Sequence, residues 1–290
     1  MEATKRRKDH VPLRLLIPAL IVVGFLLVAL SVIAWYSIHP SGGMGVILPE
    51  LTLKNYHTFF MDRFFLGYLL RSLRVSALAM IATLILGYPT AYVMVRSGTA
   101  MKRFLTVLMV TQFFTFTIIR TYAAMLILGN NGIINAFLMK AKIISAPLKL
   151  MYNELGVGIG LIIGSMPFMV FCISSVLENI HREWEDAARS LGANRRKVFW
   201  RITLPLSLPG IIAGVIIVFL WNLISYITPA LLGGGFFDMI ANFVFNQALN
   251  LFDYPFAATG AMVMLLITFL VVFVISTSLE RLIRGIKVSR

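Results

Sequence analysis

Residues 155–205 read LGVGIGLIIGSMPFMVFCISSVL as far as Leu177 and ENIHREWEDAARSLGANRRKVFWRITLP from Glu178 onward. The change of character at Leu177 decides the class of the molecule. The first part holds no Asp, Glu, Lys or Arg, and about 20 such residues in a helix cross a bilayer core about 30 Å thick. A helix is required because hydrocarbon offers no partner to an unpaired backbone group. The second part carries four acidic and six basic residues and belongs in water. One span therefore delivers the chain into a charged aqueous segment.

Working outward, five further apolar stretches have the same length and continuity: Leu15 to Ile38, Leu69 to Val95, Phe104 to Leu128, Leu206 to Leu232 and Phe256 to Leu279. The whole chain is 59% hydrophobic and 13% charged, with a mean hydropathy of +0.88, against about 25% charged residues in a soluble domain. Strands of a membrane β-barrel alternate polar and apolar residues, and these runs do not. The sequence predicts an all-α polytopic membrane protein with six transmembrane helices. The single cysteine, Cys172, excludes a disulfide framework within the chain and reads as a small buried hydrophobe.

Basic residues retained in the cytoplasm orient such a chain. The N-terminal tail has Lys5, Arg6, Arg7, Lys8 and Arg14, and the second connection has Arg96, Lys102 and Arg103. Arg182, Arg189, Arg195, Arg196, Lys197 and Arg201 fill the fourth, and the C-terminal tail adds Arg281, Arg284, Lys287 and Arg290. That is eighteen on one side against seven on the other, so both termini are expected in the cytoplasm. The net charge of +14 is thereby a record of topology. The first span reads as an uncleaved anchor, because its apolar run exceeds the roughly 7–15 residues of a signal-peptide core.

The outer segment from His39 to Gly67 is rich in aromatic residues, which suit the membrane interface. Gly129-Asn130-Asn131-Gly132 signals a turn before a short interfacial helix that includes Ile133, Ile134, Phe137 and Leu138, and Gly233-Gly234-Gly235 signals a flexible or tight turn. No internal repeat is evident.

Within 178–205 the spacing predicts a helix, a break and a second helix. Trp184, Ala187, Ala188 and Leu191 recur at i, i+3, i+4 and i+7 and form one apolar stripe. Gly192 follows, where a left-handed residue would stop the helix. The second helix, Asn194 to Ile202, carries a basic side from Arg195, Arg196, Lys197 and Arg201. Two readings are open for the stripe: packing on the protein's own cytoplasmic face, or docking of a partner.

Asp186-Ala187-Ala188, three residues, Gly192, nine residues, then Ile202-Thr203-Leu204-Pro205 follows the spacing of the EAA loop, Glu-Ala-Ala-x3-Gly-x9-Ile-x-Leu-Pro. The chain thus resembles the permeases of bacterial ABC importers. Asp186 stands where the pattern has Glu, which keeps the charge and shortens the reach by one methylene. Further similar stretches, from Tyr68 to Leu279, include Gly87-Tyr88-Pro89-Thr90-Ala91-Tyr92, Arg120-Thr121-Tyr122-Ala123, Gly132-Ile133-Ile134-Asn135 and Leu204-Pro205-Leu206-Ser207-Leu208-Pro209-Gly210. Within the family the chain is most similar to the first permease subunit of spermidine/putrescine importers.

The resemblance implies a type I ABC-importer permease fold in the bacterial inner membrane. It divides the chain into a basic tail (1–14), a first helix with its outer loop (15–66), a five-helix core (67–280) containing the coupling loop 178–205, and a second tail (281–290). Glu185, Asp186, Ala187, Ala188, Leu191, Gly192, Ala193, Ile202, Leu204 and Pro205 would make up the element that couples to an ATPase. The implied partners are an ABC ATPase dimer carrying ATP and Mg, a second permease in a heterodimer, and a periplasmic or extracellular solute-binding protein. Cargo would be a polyamine, with opine, phosphonate and ferric solutes as alternatives. No Gly-Lys pair occurs, so a Walker A loop is absent and hydrolysis falls to another chain.

Arg120 is the clearest ionisable residue inside a span, and such residues are costly. A straight helix from Phe104 puts it roughly 24 Å along, toward the outer interface. Two readings are open: a gate or pathway group with Tyr122, or an interhelical or snorkelled arginine. Asn222, Ser225, Tyr226 and Thr228 interrupt the fifth span ahead of Pro229, where they could line a pathway or serve helix packing. Asp238 and Asp253 offer negative charge on an outer connection. The four histidines are dispersed without metal-ligand spacing, so neither a metal nor a catalytic site is expected. A membrane-embedded enzyme needs clustered nucleophiles, carboxylates or metal ligands, and the densest acidic cluster, Glu178 to Asp186, coincides with the coupling-loop match. A self-contained ion-coupled transporter is disfavoured by the lack of a buried Asp or Glu.

Overall fold

The structure, a computed structural model, describes residues 17–288, with side chains as far as residue 277. The expected basic tail 1–14 and the side chains of 281–290 lie outside the described residues. Among the described residues there are twelve α-helices, three short π-helical segments and, in the first outer loop, a small antiparallel ribbon of β1 (Ser41–Gly43) with β2 (Val46–Ile47). Helix α1 (Ile17–Ser37) packs on α12 (Tyr254–Val288) and is otherwise exposed. Helix α2 (Lys54–Met61) leads into α3 (Arg63–Arg96), so the expected boundary after residue 66 falls inside a helix. The C-terminal segment set apart as a tail continues α12 as far as Val288.

Helices α3, α7 (Glu154–Glu178) and α10 (Leu204–Leu223) pack on one another and form the scaffold. Residues Gly210 and Gly214 let α10 approach α7. A Cβ built on Gly210 would lie 2.7 Å from the Cys172 carbonyl oxygen, and one on Gly214 would lie 2.7 Å from Met169 Sδ. This is the small-residue spacing by which membrane helices gain van der Waals contact where lipid supplies no hydrophobic drive. One apolar cluster, with Tyr88, Ala91, Met169, Ile173, Leu177 and Val218, fills the cytoplasmic half. A second, with Val75, Ala124, Val157, Leu161 and Leu232, fills the outer half. Phe59, Phe243 and Phe256 form a third cluster at the outer rim.

Two expected spans are broken. The third, Phe104 to Leu128, divides into α4 (Thr99–Phe114) and α5 (Thr117–Leu128). β-Branched and aromatic residues crowd Thr111 to Ile118 and weaken helix propensity there, and Thr115 turns its hydroxyl back to donate to the Thr111 carbonyl at 2.7 Å. Residues 117–140 are long and apolar enough together to count as one crossing, but the Gly129–Gly132 turn separates α5 from α6 (Ile133–Lys140). The ends of α3 and α7 share one side, so the chain crosses once between them. Helix α5 alone, 12 residues or about 18 Å, is too short to do so. Helices α4 and α5 make that crossing in series.

The fifth span ends early, because α10 stops at Leu223 and a π-helical turn occupies Pro229–Gly233. Proline has no N–H and its ring crowds the carbonyl four residues back, and Pro229 stands at the start of the π-helical turn, where no such bond is needed. At its other end the same span begins sooner than expected. Helix α9 (Arg195–Val198), a π segment (Phe199–Thr203) and α10 run on without a gap. Gly234 and Gly235, at φ +58° and +79°, make the turn that the glycine run signalled, followed by α11 (Ile240–Phe245) and a π turn (Asn246–Asn250) that sequence reasoning did not foresee.

Candidate functional site

The aqueous segment after α7 folds as helix, turn and helix. Helix α8 (Arg182–Ser190) starts with Glu183 and Glu185 in its first turn and has Arg189 in its last, in keeping with the helix dipole. It ends in a Schellman turn. Gly192 has φ +86°, its N–H donates to the Arg189 carbonyl at 2.9 Å, and the Ala193 N–H donates to the Ala188 carbonyl at 3.0 Å. Asn194 then caps α9, its Oδ1 accepting from the Lys197 N–H at 2.8 Å. Arg195, Arg196, Lys197 and Arg201 are exposed.

The apolar stripe of α8 points away from the protein. Leu191 is 90% exposed and Trp184 49%, Ala187 is exposed and Ala188 half-buried. The face turned inward is acidic: Glu185 is only 4% exposed. Its Oε1 accepts from Arg96 Nη2 at 2.7 Å and from the Thr203 hydroxyl at 3.1 Å. Arg189 approaches its other oxygen at 3.6 Å and Asp186 at 3.2 Å. Arg96 also donates to the Ile180 carbonyl at 3.2 Å, and Arg182 donates to the Arg96 carbonyl at 3.1 Å. Self-packing of the stripe, one of the two open readings, is not what the structure has. Ile202, Leu204 and Pro205 sit where the π segment enters α10 and are part-buried.

A polar layer separates the cytoplasmic and outer apolar clusters, within about a turn of Gly164. The Thr83 and Ser165 hydroxyls meet at 3.2 Å. Gln112 donates its amide to the Ile163 carbonyl. Arg120 donates to the Gln112 carbonyl at 3.1 Å and to the Thr117 hydroxyl at 3.5 Å. It therefore caps the last turn of α4 across the break, a favourable place for a cation at a helix C-terminus. A Cβ on Gly164 would lie 3.6 Å from Arg120 Nη2 and 4.0 Å from Trp221 Nε1, so these two donors converge on the surface of α7 at Gly164. Gly164 is ten residues into α7, or about 15 Å from its outer end. Arg120 thus meets α7 in its outer half, short of the outer end.

The structure does not bring Arg120 and Tyr122 together. Two residues apart on a helix, they face opposite ways, and Tyr122 lines an outer cavity of 790 Å³ with Asn130, Lys149, Tyr152 and Phe236. Tyr226 stacks on Phe245 with ring centroids 4.3 Å apart and borders a separate cavity of 300 Å³ with Thr117, Trp221 and Ser225. Asn222 is fully buried, and neither Oδ1 nor Nδ2 has a partner. Asp253 caps α12, accepting from the Phe256 N–H at 3.1 Å, while burial pushes the Asp238 carboxyl above the usual carboxylate range and nearby Arg71 partly offsets this. Gln112, Trp221 and Arg96 were missed in the sequence. The first two are polar atoms in an apolar run, and Arg96 registered only as a topology charge.

Continuous and broken helices around a mid-depth polar layer, with a basic aqueous loop offering an apolar face, define a polytopic transport permease. Residues 11–287 match the family described as binding-protein-dependent transport system inner membrane component, and the chain belongs to that family. It is 34% identical over 223 residues to the spermidine/putrescine transport system permease protein PotB of Escherichia coli (strain K12), covering 77% of this chain and 81% of that one. To the inner membrane ABC transporter permease protein YdcU of the same strain it is 28% identical over 269 residues, 83% of this chain and 85% of that one. The fold is shared with a chain of the bacterial alginate ABC transporter crystallised with an alginate pentasaccharide-bound periplasmic protein, at a TM-score of 0.73, 16% identity and coverage of 93% and 94%. The protein is an inner-membrane permease subunit of an ABC importer.

Proposed function

We propose that this permease imports a polyamine of the spermidine/putrescine class, received from a solute-binding protein and moved by alternating access. A second, different permease completes the pathway, and an ATPase dimer on separate chains binds and hydrolyses ATP. The cargo class rests on the likeness to PotB. The coupling role of residues 185–205 rests on one observation above others: α8 turns Trp184 and Leu191 to water and its acid inward. An exposed apolar pair on a short helix, stopped by a left-handed glycine, suits a groove on a soluble partner.

Replacing Gly192 by Val tests the coupling role. The site has open space around it, so the penalty is confined to the positive φ of the turn. Import driven by the co-assembled ATPase should fall by about tenfold, within the ordinary range of coupling energies, while ATP hydrolysis and membrane insertion persist. Unchanged import would sink the assignment.

A second reading of the cargo is favoured by the donors at Gly164. The Arg120 guanidinium, the Trp221 indole and the Thr117 hydroxyl suit an anion-bearing solute of the opine or phosphonate kind. Competition for labelled spermidine uptake in proteoliposomes separates the two: polyamines alone should compete, and displacement by the anionic solutes alone would favour the second reading.

A further inference from the structure

We infer that Glu185 is the positioning residue through which movement of α8 reaches the membrane helices, acting on α3 and α10 at once. This rests on the coupling role proposed above and goes beyond it, since that role concerns the outward face of α8 and says nothing of how the helix is tied inward. Among the described residues, every side-chain hydrogen bond between α8 and the bundle involves Glu185 or Arg96. Arg96 is the last residue of α3, and Thr203 closes the π segment that becomes α10. One carboxylate oxygen thus joins the cytoplasmic ends of two spans that both pack along α7.

The chemistry of the joint makes it stiff. The side chains of Glu185 and Arg96 are 5% and 12% exposed, so their bond is poorly screened, and separating them would leave a buried charge without a partner. The Arg189 bridges stay within α8, and the bridge from α4 to α7 nearby, Lys102 to Glu178, has side chains about half exposed, and bridges of that kind hold little. Arg96 donates to Glu185 and to the Ile180 carbonyl while its own carbonyl accepts from Arg182, so it is gripped from both flanks of the turn into α8. Thr203 sits in a π-helical turn, a looser ladder than an α-helix and a recurrent place for a functional bend. Displacement of α8 must either break the Glu185 pair, leaving a buried charge without a partner, or carry the ends of α3 and α10 with it.

The test uses the permease assembled with its ATPase, its partner permease and its binding protein in proteoliposomes. It reads the number of ATP molecules hydrolysed per solute imported, a ratio that loss of folded complex does not change. Glu185→Gln, which keeps the shape and removes the charge, should raise that ratio by about tenfold, inside the roughly 5- to 150-fold span of ordinary coupling energies. Thr203→Val should raise it less, and Arg96→Glu combined with Glu185→Arg should bring it part of the way back. Leu191→Glu, on the outward face, is the control for the coupling role itself. If Leu191→Glu uncouples and Glu185→Gln keeps the wild-type ratio, or lowers both rates in proportion, the inference fails while the coupling role stands. If Leu191→Glu has no effect, the coupling role fails.

Discussion

Helix α7 packs against two kinds of chain along its length. Its cytoplasmic half, from Met166 to Glu178, lies against α3 and α10 where both are continuous helices, and the fit is close enough that Gly87, Gly210 and Gly214 all face it without room for a methyl. Its outer half, from Glu154 to Ser165, keeps α3 on one side, where Val75 and Ala79 meet Val157 and Leu161, and on the other meets the Pro229–Gly233 turn, which leaves Gly160 no more room for a methyl, and Arg120 beside the end of α10 at Gly164. The first half resembles the interior of a crystal, where any shift strains every neighbour. The second is bordered by cavities and by helix ends whose polar groups are held by single side chains. The two halves therefore differ in the continuity of what packs on them: unbroken α3 and α10 along the first, α3 and interrupted segments along the second.

The contrast can be broken most severely in the cytoplasmic half. Gly214→Leu should cost about 3 kcal/mol, the upper end for overpacking, read as a lower thermal midpoint of the purified complex. Gly158→Ala, on the outer half with nothing within 4 Å, should be neutral or gain about 0.4–1 kcal/mol by restricting the unfolded chain. Equal losses at both positions would erase the distinction. The next effect has the opposite sign. Asn222→Leu replaces an unpartnered amide with a bulkier apolar side chain of the same branching, and stability should rise by about 1–3 kcal/mol less the cost of the added bulk. A drop beyond that cost would mean that Asn222 is satisfied in a way the structure does not contain. The smallest change is expected at the break itself, where Arg120→Met should cost about 1 kcal/mol for the lost cap on α4.

The spans were legible because 20 apolar residues in a row have few other destinations, and α1, α3 and α7 lie close to where hydropathy puts them. The breaks were not. Hydropathy counts transfer energy and ignores whether Thr111 to Ile118 prefer a helix, so a run apolar enough to cross was read as one rod. Pro229 did announce its break, and the polar residues before it marked the place. In the loop 178–205 the periodicity of Trp184, Ala187 and Leu191 gives the right stripe but not its direction. Direction depends on Arg96, eighty-nine residues from Glu185 in sequence, and no local pattern encodes that partner. Gly192 was read correctly because its reason is local: the last residue of a helix needs a left-handed neighbour.

Helix α1 carries a consequence for how the molecule is made. It packs on the bundle chiefly through α12, and although Asn55 and Tyr56 reach Ser37 soon after it is made, the Thr259 hydroxyl that donates to the Ser37 carbonyl lies 222 residues later. At ribosomal speeds of about 5–20 residues per second, roughly ten to forty seconds pass between the emergence of the two. During that interval α1 lacks the helix on which it chiefly packs, and it is the most apolar of the six candidate spans. Its composition answers to the order of synthesis as much as to the finished bundle.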